Sequence, residues 1–315
     1  MIEKLNFNKP VYMLAPLAGF TDLPFRSVVK KFGADLTVSE MISSNALIHN
    51  SQKTIKMLKK SPNEDPYSVQ ISGSEVDVVR GAVEYLNDID GIDIIDLNCG
   101  CPVPKVVGHG SGSSLLRDLP HMGSLIETIK KTSNKSITSA KVRLGFSEKN
   151  HIEIAKVVEQ SGADFIAVHG RTRAGKFTAE VDYDAIAEIK ASVNIPVIAN
   201  GDIDSFEKVK WVLEHTSCDG VMIGRGAIGK PWIFHQLKHN ESDISSALKH
   251  EIILEHFDSM IDVYGTHGVP MFRKHIHTYS KGYSGASKLR NSINNITDIK
   301  VFRDVIDEFF IYPSR

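Results

Sequence analysis

Ile94-Ile95-Asp96-Leu97-Asn98-Cys99-Gly100-Cys101-Pro102 is an apolar run with strand character that ends in a polar Asn and a turn presenting a thiol. Pro102 fixes its own φ and biases Cys101 toward an extended backbone, so the turn is held in place. A cysteine at the carboxyl end of a buried strand sits where parallel α/β folds place their chemistry. Taken alone, the same cysteine is equally well explained as a small hydrophobe packed under a loop. The surrounding sequence decides between the two.

Similar runs recur on both sides, at residues 11–15, 36–38, 67–71, 92–95, 137–142, 165–168, 196–199 and 220–223. Amphipathic segments lie between them, such as 75–87 and 152–161, the latter stopping at Gly162. Short, continuous β-branched runs alternating with helices are the pattern of a parallel sheet buried on both faces. Eight of them predict a (β/α)8 TIM barrel, whose usual size is about 250 residues. A doubly wound sheet is the competing fold, but no Gly-rich dinucleotide turn follows the first run. Beyond residue 240 the strand signal ends. Residues 245–264 read as an amphipathic helix, with Ile252, Ile253, Leu254, Phe257, Met260 and Ile261 on its apolar side, and further helices are predicted over 271–284, 286–295 and 298–311. The expected organisation is an α/β barrel domain, 1–240, followed by a small C-terminal helical domain, 241–315.

The 315 residues are 42% hydrophobic and 24% charged, with a formal net charge of -1, as in ordinary globular chains. No apolar run approaches the roughly 18–20 residues of a membrane span. The first residues lack the basic and apolar segments of a secretory signal. Three cysteines, at 99, 101 and 218, make neither a disulfide framework nor a zinc site, so a reducing, cytoplasmic setting and no metal are expected. The balanced charge argues against a wholly basic nucleic-acid binder but says nothing of local patches.

Nearly every run ends in polar or glycine-rich residues, and a barrel gathers all of these on one rim. The ends are Ala15-Pro16-Leu17-Ala18-Gly19, Ser39-Glu40-Met41, Gln70, Asn98 to Cys101, Lys141 with Arg143, His169-Gly170-Arg171-Thr172, Asn200-Gly201-Asp202 and Gly224-Arg225-Gly226. Singly, Gln70 reads as a satisfied core amide, His169 as a loop cap and the Gly224 turn as a plain connection. Lys141 is harder to dismiss, because a buried ammonium is costly without an anion. Together they suit one ligand. Lys141, Gln70 and backbone amides fit the polar edge of an isoalloxazine, and the late glycine turns with Arg225 fit a phosphate. Cys101 is then a proton donor or nucleophile facing substrate. Asn98 both donates and accepts, as an amide-like base edge requires.

These motifs, with Val69-Gln70-Ile71-Ser72-Gly73, Lys141-Val142-Arg143, Ile223-Gly224-Arg225 and Gly229-Lys230-Pro231-Trp232, resemble the tRNA-dihydrouridine synthases over the whole barrel, the bacterial B-type subgroup being nearest. The resemblance implies FMN held by Pro16, Leu17, Ala18, Gln70 and Lys141, with His169, Asn200, Gly201, Asp202, Gly224 and Arg225 around its phosphate. It implies Cys101 as general acid and Asn98 and Arg143 near the target uracil. Leu17 stands where relatives often carry Met. Cys99 has no family role, and the loop 108–112 lacks a basic residue that relatives often carry.

From Val263 to Thr297 there is no Asp or Glu, but there are Arg273, Lys274, Lys281, Lys288, Arg290, three histidines, and Phe272, Tyr264, Tyr279 and Tyr283. Charge alone favours a solvated helix face. Arg273-Lys274-His275 matches a basic motif of the family's helical domain, so the resemblance implies a tRNA contact there, at Arg273 and Lys274, with the aromatics suited to splayed bases. The implied reaction is reduction of uridine to dihydrouridine in tRNA. NADPH, with NADH as an alternative, supplies the reducing equivalents, FMN delivers hydride to C6 and Cys101 protonates C5. No membrane and no obligate protein partner are implied, and a monomer is expected. An FMN barrel acting on a free small molecule explains the rim but not the basic tail. A non-catalytic RNA-binding barrel leaves Cys101 and Lys141 unexplained.

Overall fold

The computed structural model of the chain describes residues 4–311. Its eight barrel strands are β1 (Val11–Leu14), β2 (Leu36–Val38), β3 (Tyr67–Ser72), β4 (Ile94–Asn98), β5 (Ile137–Arg143), β6 (Phe165–His169), β7 (Val197–Asn200) and β8 (Gly220–Ile223). Successive strands pair in parallel, and β8 pairs with β1, so the sheet closes as the (β/α)8 TIM barrel that the apolar runs predict. A two-residue strand, Ile42–Ser43, extends the edge of β3 beyond the end of β2.

The period of two along β4 shows how the opening stretch works. Ile94 packs inside the barrel with Val11, Met13, Ile137 and Phe165, whereas Ile95 and Leu97 face the layer between strands and helices. Asp96 and Asn98 follow Ile94 on the inner side, so the barrel interior changes from apolar at its base to polar at its carboxyl end. Leu5 joins the basal cluster, and Phe7 lies 5.9 Å from the Phe165 ring. Register then aligns the polar residues: Gln70 with Asp96, Asp96 with Ser139, Asn98 with Lys141, and Arg143 with His169.

The predicted helices form over Val76–Asn87 and His151–Gln160, and Gly162 lies just past the second with φ 88°. The short helices Ser44–Ile48, Gln52–Met57 and Pro104–Gly108 carry too few turns to show a helical period. The tail folds into Ser246–Tyr264, Gly268–Tyr279, Ala286–Ser292 and Ile299–Ile311. Its apolar cluster includes Val28, Phe32 and Trp232 from the barrel, so the tail is packed onto the helix Leu23–Lys31. No helix of the described residues is long and apolar enough to cross a membrane.

The tail corrects one expectation. Its aromatics are not free to stack on bases: Phe272 and Tyr279 are buried, Tyr264 donates to Asp22 Oδ2 at 3.3 Å, and Tyr283 packs against Phe309 and Phe310. Residues 272, 275, 276 and 279 form the buried stripe of their helix, the i, i+3, i+4, i+7 spacing of a core face.

His275 of that stripe pairs with the buried His256 of the helix Ser246–Tyr264. His256 and His275 rings meet edge to face at 4.5 Å among Phe20, Phe25 and Phe272, and His256 Nδ1 pairs with the Tyr279 hydroxyl at 2.9 Å. Burial, and next to it Lys274, pulls His275 down to about 3, and burial also holds His256 well below its ordinary value. The unfolded chain binds these protons near pH 6.5, so stability is full above that pH and falls as the pH drops toward 3. The slope reaches about 1.4 kcal/mol per histidine per pH unit. His275→Phe is therefore expected to flatten the change in unfolding midpoint between pH 7 and 5. An unchanged slope would show that His275 titrates normally.

Candidate active site

The carboxyl ends of the strands open into a cavity of about 590 Å³, a size that suits a mononucleotide-like ligand. Pro16, Leu17, Ala18, Gln70, Asn98, Cys101, Lys141, Arg143, His169, Asn200, Gly201, Asp202, Gly224 and Arg225 all line it. Met41, from the second strand end, lines it too, as do Val103 and Phe177, which no sequence pattern marked. Arg273 and Lys274 do not reach it. Among the described residues no cluster of His, Cys, Asp and Glu could hold a metal ion.

Cys101 is held by its backbone. Its N–H donates to Asn98 Oδ1 at 2.9 Å, beside the Gly100 N–H at 3.1 Å, and its carbonyl accepts from the Ser113 N–H at 3.1 Å. The loop 108–112 buttresses the thiol: Gly112 has φ 61°, and a Cβ there would lie 2.9 Å from the Cys101 carbonyl and 3.1 Å from its Cβ. Cys101 is partly exposed to the cavity, whereas Cys99 points into the strand–helix layer and is fully buried. Arg143 ties this loop to the next: Nε donates to the Gly100 carbonyl at 2.8 Å, and Nη1 to the carbonyls of Thr172 and Lys176, each at 3.0 Å.

Positive charge dominates the rest. Lys141 Nζ has one hydrogen bond among the described residues, to Asn200 Oδ1 at 3.0 Å, and Asn200 is itself fixed by donating to the Met222 carbonyl. Desolvation, with Arg143 beside it, lowers the Lys141 ammonium to about 8. His169 is pushed to about 2 by burial and then by Lys141, Arg143, Arg171 and Arg225. Its Nε2 faces Arg171 Nη1 at 3.3 Å, so the imidazole is neutral and accepts there. The countercharge is Asp202, at φ 41° after Gly201 at φ 129°. Asp202 accepts from Arg171 and from Arg225 Nη2 at 2.6 Å, and the Arg171 hydrogen bonds, with Arg225 behind them, hold its carboxyl below the usual range. Asp202 thus aims two guanidiniums and keeps its own oxygens for them. A Cβ on Gly224 would sit in ordinary van der Waals contact with Ala15 Cβ at 3.6 Å and with the Leu17 methyls at 3.9 Å, so this turn packs against the loop after β1.

Two further side chains frame the cavity. Phe177 is exposed, with the guanidiniums of Arg143 and Arg225 at 5.3 and 4.9 Å from its ring centre. Lys274 donates to the Gly19 carbonyl and lies 5.3 Å from the Phe20 ring centre, while the Gly19 N–H donates to Glu40. The tail therefore touches the loop after β1 that walls the cavity. Arg273 Nη2 donates to the Ile296 carbonyl at 2.9 Å, which leaves Lys281 and Lys288 as the more exposed of the lysines and arginines in the acid-free segment 263–297.

A closed parallel barrel with a cationic, thiol-bearing cavity at its carboxyl rim places the chain among the TIM barrels that carry a site at that rim. The fold resembles the old yellow enzyme homologue from Zymomonas mobilis, with TM-score 0.53 and 12% identity over 75% of this chain and 89% of that one. Residues 13–311 match the dihydrouridine synthase family, and the chain belongs to it. It is 52% identical over 304 residues to a probable tRNA-dihydrouridine synthase of Helicobacter pylori, covering 96% of this chain and 93% of the relative. It is 38% identical over 307 residues to tRNA-dihydrouridine synthase B of Pseudomonas syringae pv. tomato, covering 95% and 90%.

Proposed function

We propose that this chain is a tRNA-dihydrouridine synthase that binds FMN, draws reducing equivalents from NADPH and uses Cys101 as its general acid. Residues 1–240 would carry the chemistry and 241–315 the tRNA. The observation that carries the cofactor reading is the charge around His169. Four cations converge on a neutral imidazole with Asp202 as partner to two of them, an arrangement that an anionic ligand relieves. Lys141, with N–H groups to spare, suits the polar edge of a flavin, and the cavity-lining turn at Gly224 with Arg225 suits its phosphate.

In this reading Pro16, Leu17 and Ala18 pack along the flavin, with Gln70 and Lys141 at its polar edge. His169, Asn200, Gly201, Asp202, Gly224 and Arg225 surround the phosphate, Asp202 acting through the guanidiniums it holds. When bound, the flavin supplies the hydride that saturates C6 of the uracil. Cys101 supplies the proton to C5, and Asn98 and Arg143 hold the base beside the thiol. The base must leave its stack to reach the rim, so the tail's cations hold the surrounding RNA by its phosphates.

The purified protein is expected to be yellow with noncovalent FMN, to be bleached anaerobically by NADPH, and to be recoloured by unmodified tRNA. Recolouring by free uridine as fast as by tRNA would move the chain to small-molecule reductases, and a protein that does not take up FMN would end the reading. Lys281→Ala with Lys288→Ala is expected to weaken tRNA binding and to lower its salt slope by about one unit per lost phosphate contact. An unaltered slope would make that face merely solvated.

A further inference from the structure

Beneath Gln70, Asn98 and Cys101 lies a buried carboxyl to which the reaction gives no task. Asp96 is 4% exposed and stands between Gln70 on β3 and Ser139 on β5, in one row across the barrel interior. Its Oδ1 accepts from Ser139 Oγ at 2.7 Å and its Oδ2 from Gln70 Nε2 at 2.8 Å. Gln70 Oε1 then accepts from Asn98 Nδ2 at 2.7 Å, and Asn98 Oδ1 accepts from the N–H groups of Gly100 and Cys101.

The direction of this chain has a cause. A side-chain amide has a donor end and an acceptor end, so each amide in a row can face either way, whereas an ionised carboxylate only accepts. Asp96 at the head forces Gln70 to donate, which turns Gln70 Oε1 toward Asn98, which turns Asn98 Oδ1 onto the thiol loop. In the reverse direction Asn98 Nδ2 would face two backbone N–H groups. We propose that Asp96 is a positioning residue that sets the hydrogen-bond polarity of the Gln70–Asn98 row and so fixes the loop carrying Cys101. Its functional meaning rests on the dihydrouridine synthase reading above; its structural content does not.

Burial raises the pKa of Asp96, and its hydrogen bonds from Ser139 and Gln70 oppose that rise. Protonation on the Ser139 side leaves the polarity intact, because a hydroxyl can turn and accept. The same property predicts which substitution rescues. In Asp96→Asn the amide nitrogen can donate to Ser139 Oγ while its oxygen still accepts from Gln70. In Asp96→Ala both donors lose their acceptor.

The test is the alkylation rate of Cys101 by iodoacetamide in the FMN-loaded protein, read by mass spectrometry of its peptide. Cys99 and Cys218 are buried and serve as slow internal references. Asp96→Ala is expected to speed alkylation on the order of tenfold, the shift an unpaired buried donor imposes on a loop equilibrium. Asp96→Asn and Ser139→Ala are each expected to stay within about twofold of wild type, but the two together to behave like Asp96→Ala, a strongly non-additive result. If Asp96→Ala does not fold, Asp96→Asn with and without Ser139→Ala carries the same test. Additive small effects, or Asp96→Asn as severe as Asp96→Ala, would overturn the proposal. Flavin recolouring by tRNA, measured on the same variants and on Cys101→Ala, separates the two claims. An alkylation pattern as expected, with Cys101→Ala fully active, supports the positioning role and refutes Cys101 as the acid.

Discussion

Cys101→Ala is expected to bind FMN and be reduced by NADPH like the wild type, yet to fail in the step that consumes tRNA. The loop does not depend on the thiol, since Asn98 and Ser113 hold its backbone. What is lost is one proton donor, and general acid catalysis contributes about 10²–10⁴-fold. The single-turnover rate of flavin reoxidation by tRNA should fall by that order, with flavin reduction unchanged. Cys99→Ala is the internal control: that thiol is fully buried and its pKa is pushed well up by desolvation, so no substrate proton reaches it. Wild-type reoxidation in Cys101→Ala, or failure in Cys99→Ala instead, would mean that the wrong acid has been named.

Lys141→Met keeps a side chain of similar length and removes the ammonium. Hydrogen bonds to charged groups contribute about 1.5–3 kcal/mol, so FMN affinity should fall by roughly ten- to a hundredfold. The pH dependence gives a second handle. With the free protein's ammonium lowered to about 8, affinity for the flavin's hydrogen-bond-accepting edge should be flat below that pH and weaken as the pH rises through it. In Lys141→Met that fall should vanish. Isothermal titration of the apoprotein with FMN between pH 6.5 and 9 reads both effects. Full affinity in the variant, or a pH slope that persists, would remove Lys141 from the flavin edge.

The barrel was legible because each strand buries both faces, which leaves a continuous apolar run that composition alone reveals. The rim was legible for a related reason: polar residues at the ends of such runs have nowhere to go but the carboxyl mouth, and Lys141 could not be a plain core residue. Ser139 and Asp96 escaped notice because their partners sit on neighbouring strands, a register that no single run contains. Phe177 escaped because it lies in an irregular loop, where no periodicity marks a side chain as cavity-facing. In the tail, the aromatics among the cations suggested a stacking surface, but Phe272 and Tyr279, seven residues apart with His275 and Ile276 three and four residues after Phe272, already described a buried stripe. His275, read as part of a basic motif, belongs to that stripe. Arg273 and Lys274 are cations whose hydrogen bonds to Ile296 and Gly19 only the folded chain brings within reach.

The most direct measurement is dihydrouridine mapping of tRNA from cells lacking this protein, complemented with wild type or Cys101→Ala. Loss of dihydrouridine at one or more defined positions, restored by wild type and not by Cys101→Ala, is the result this account predicts. An unchanged dihydrouridine profile in the deletion strain, or full restoration by Cys101→Ala, would contradict it.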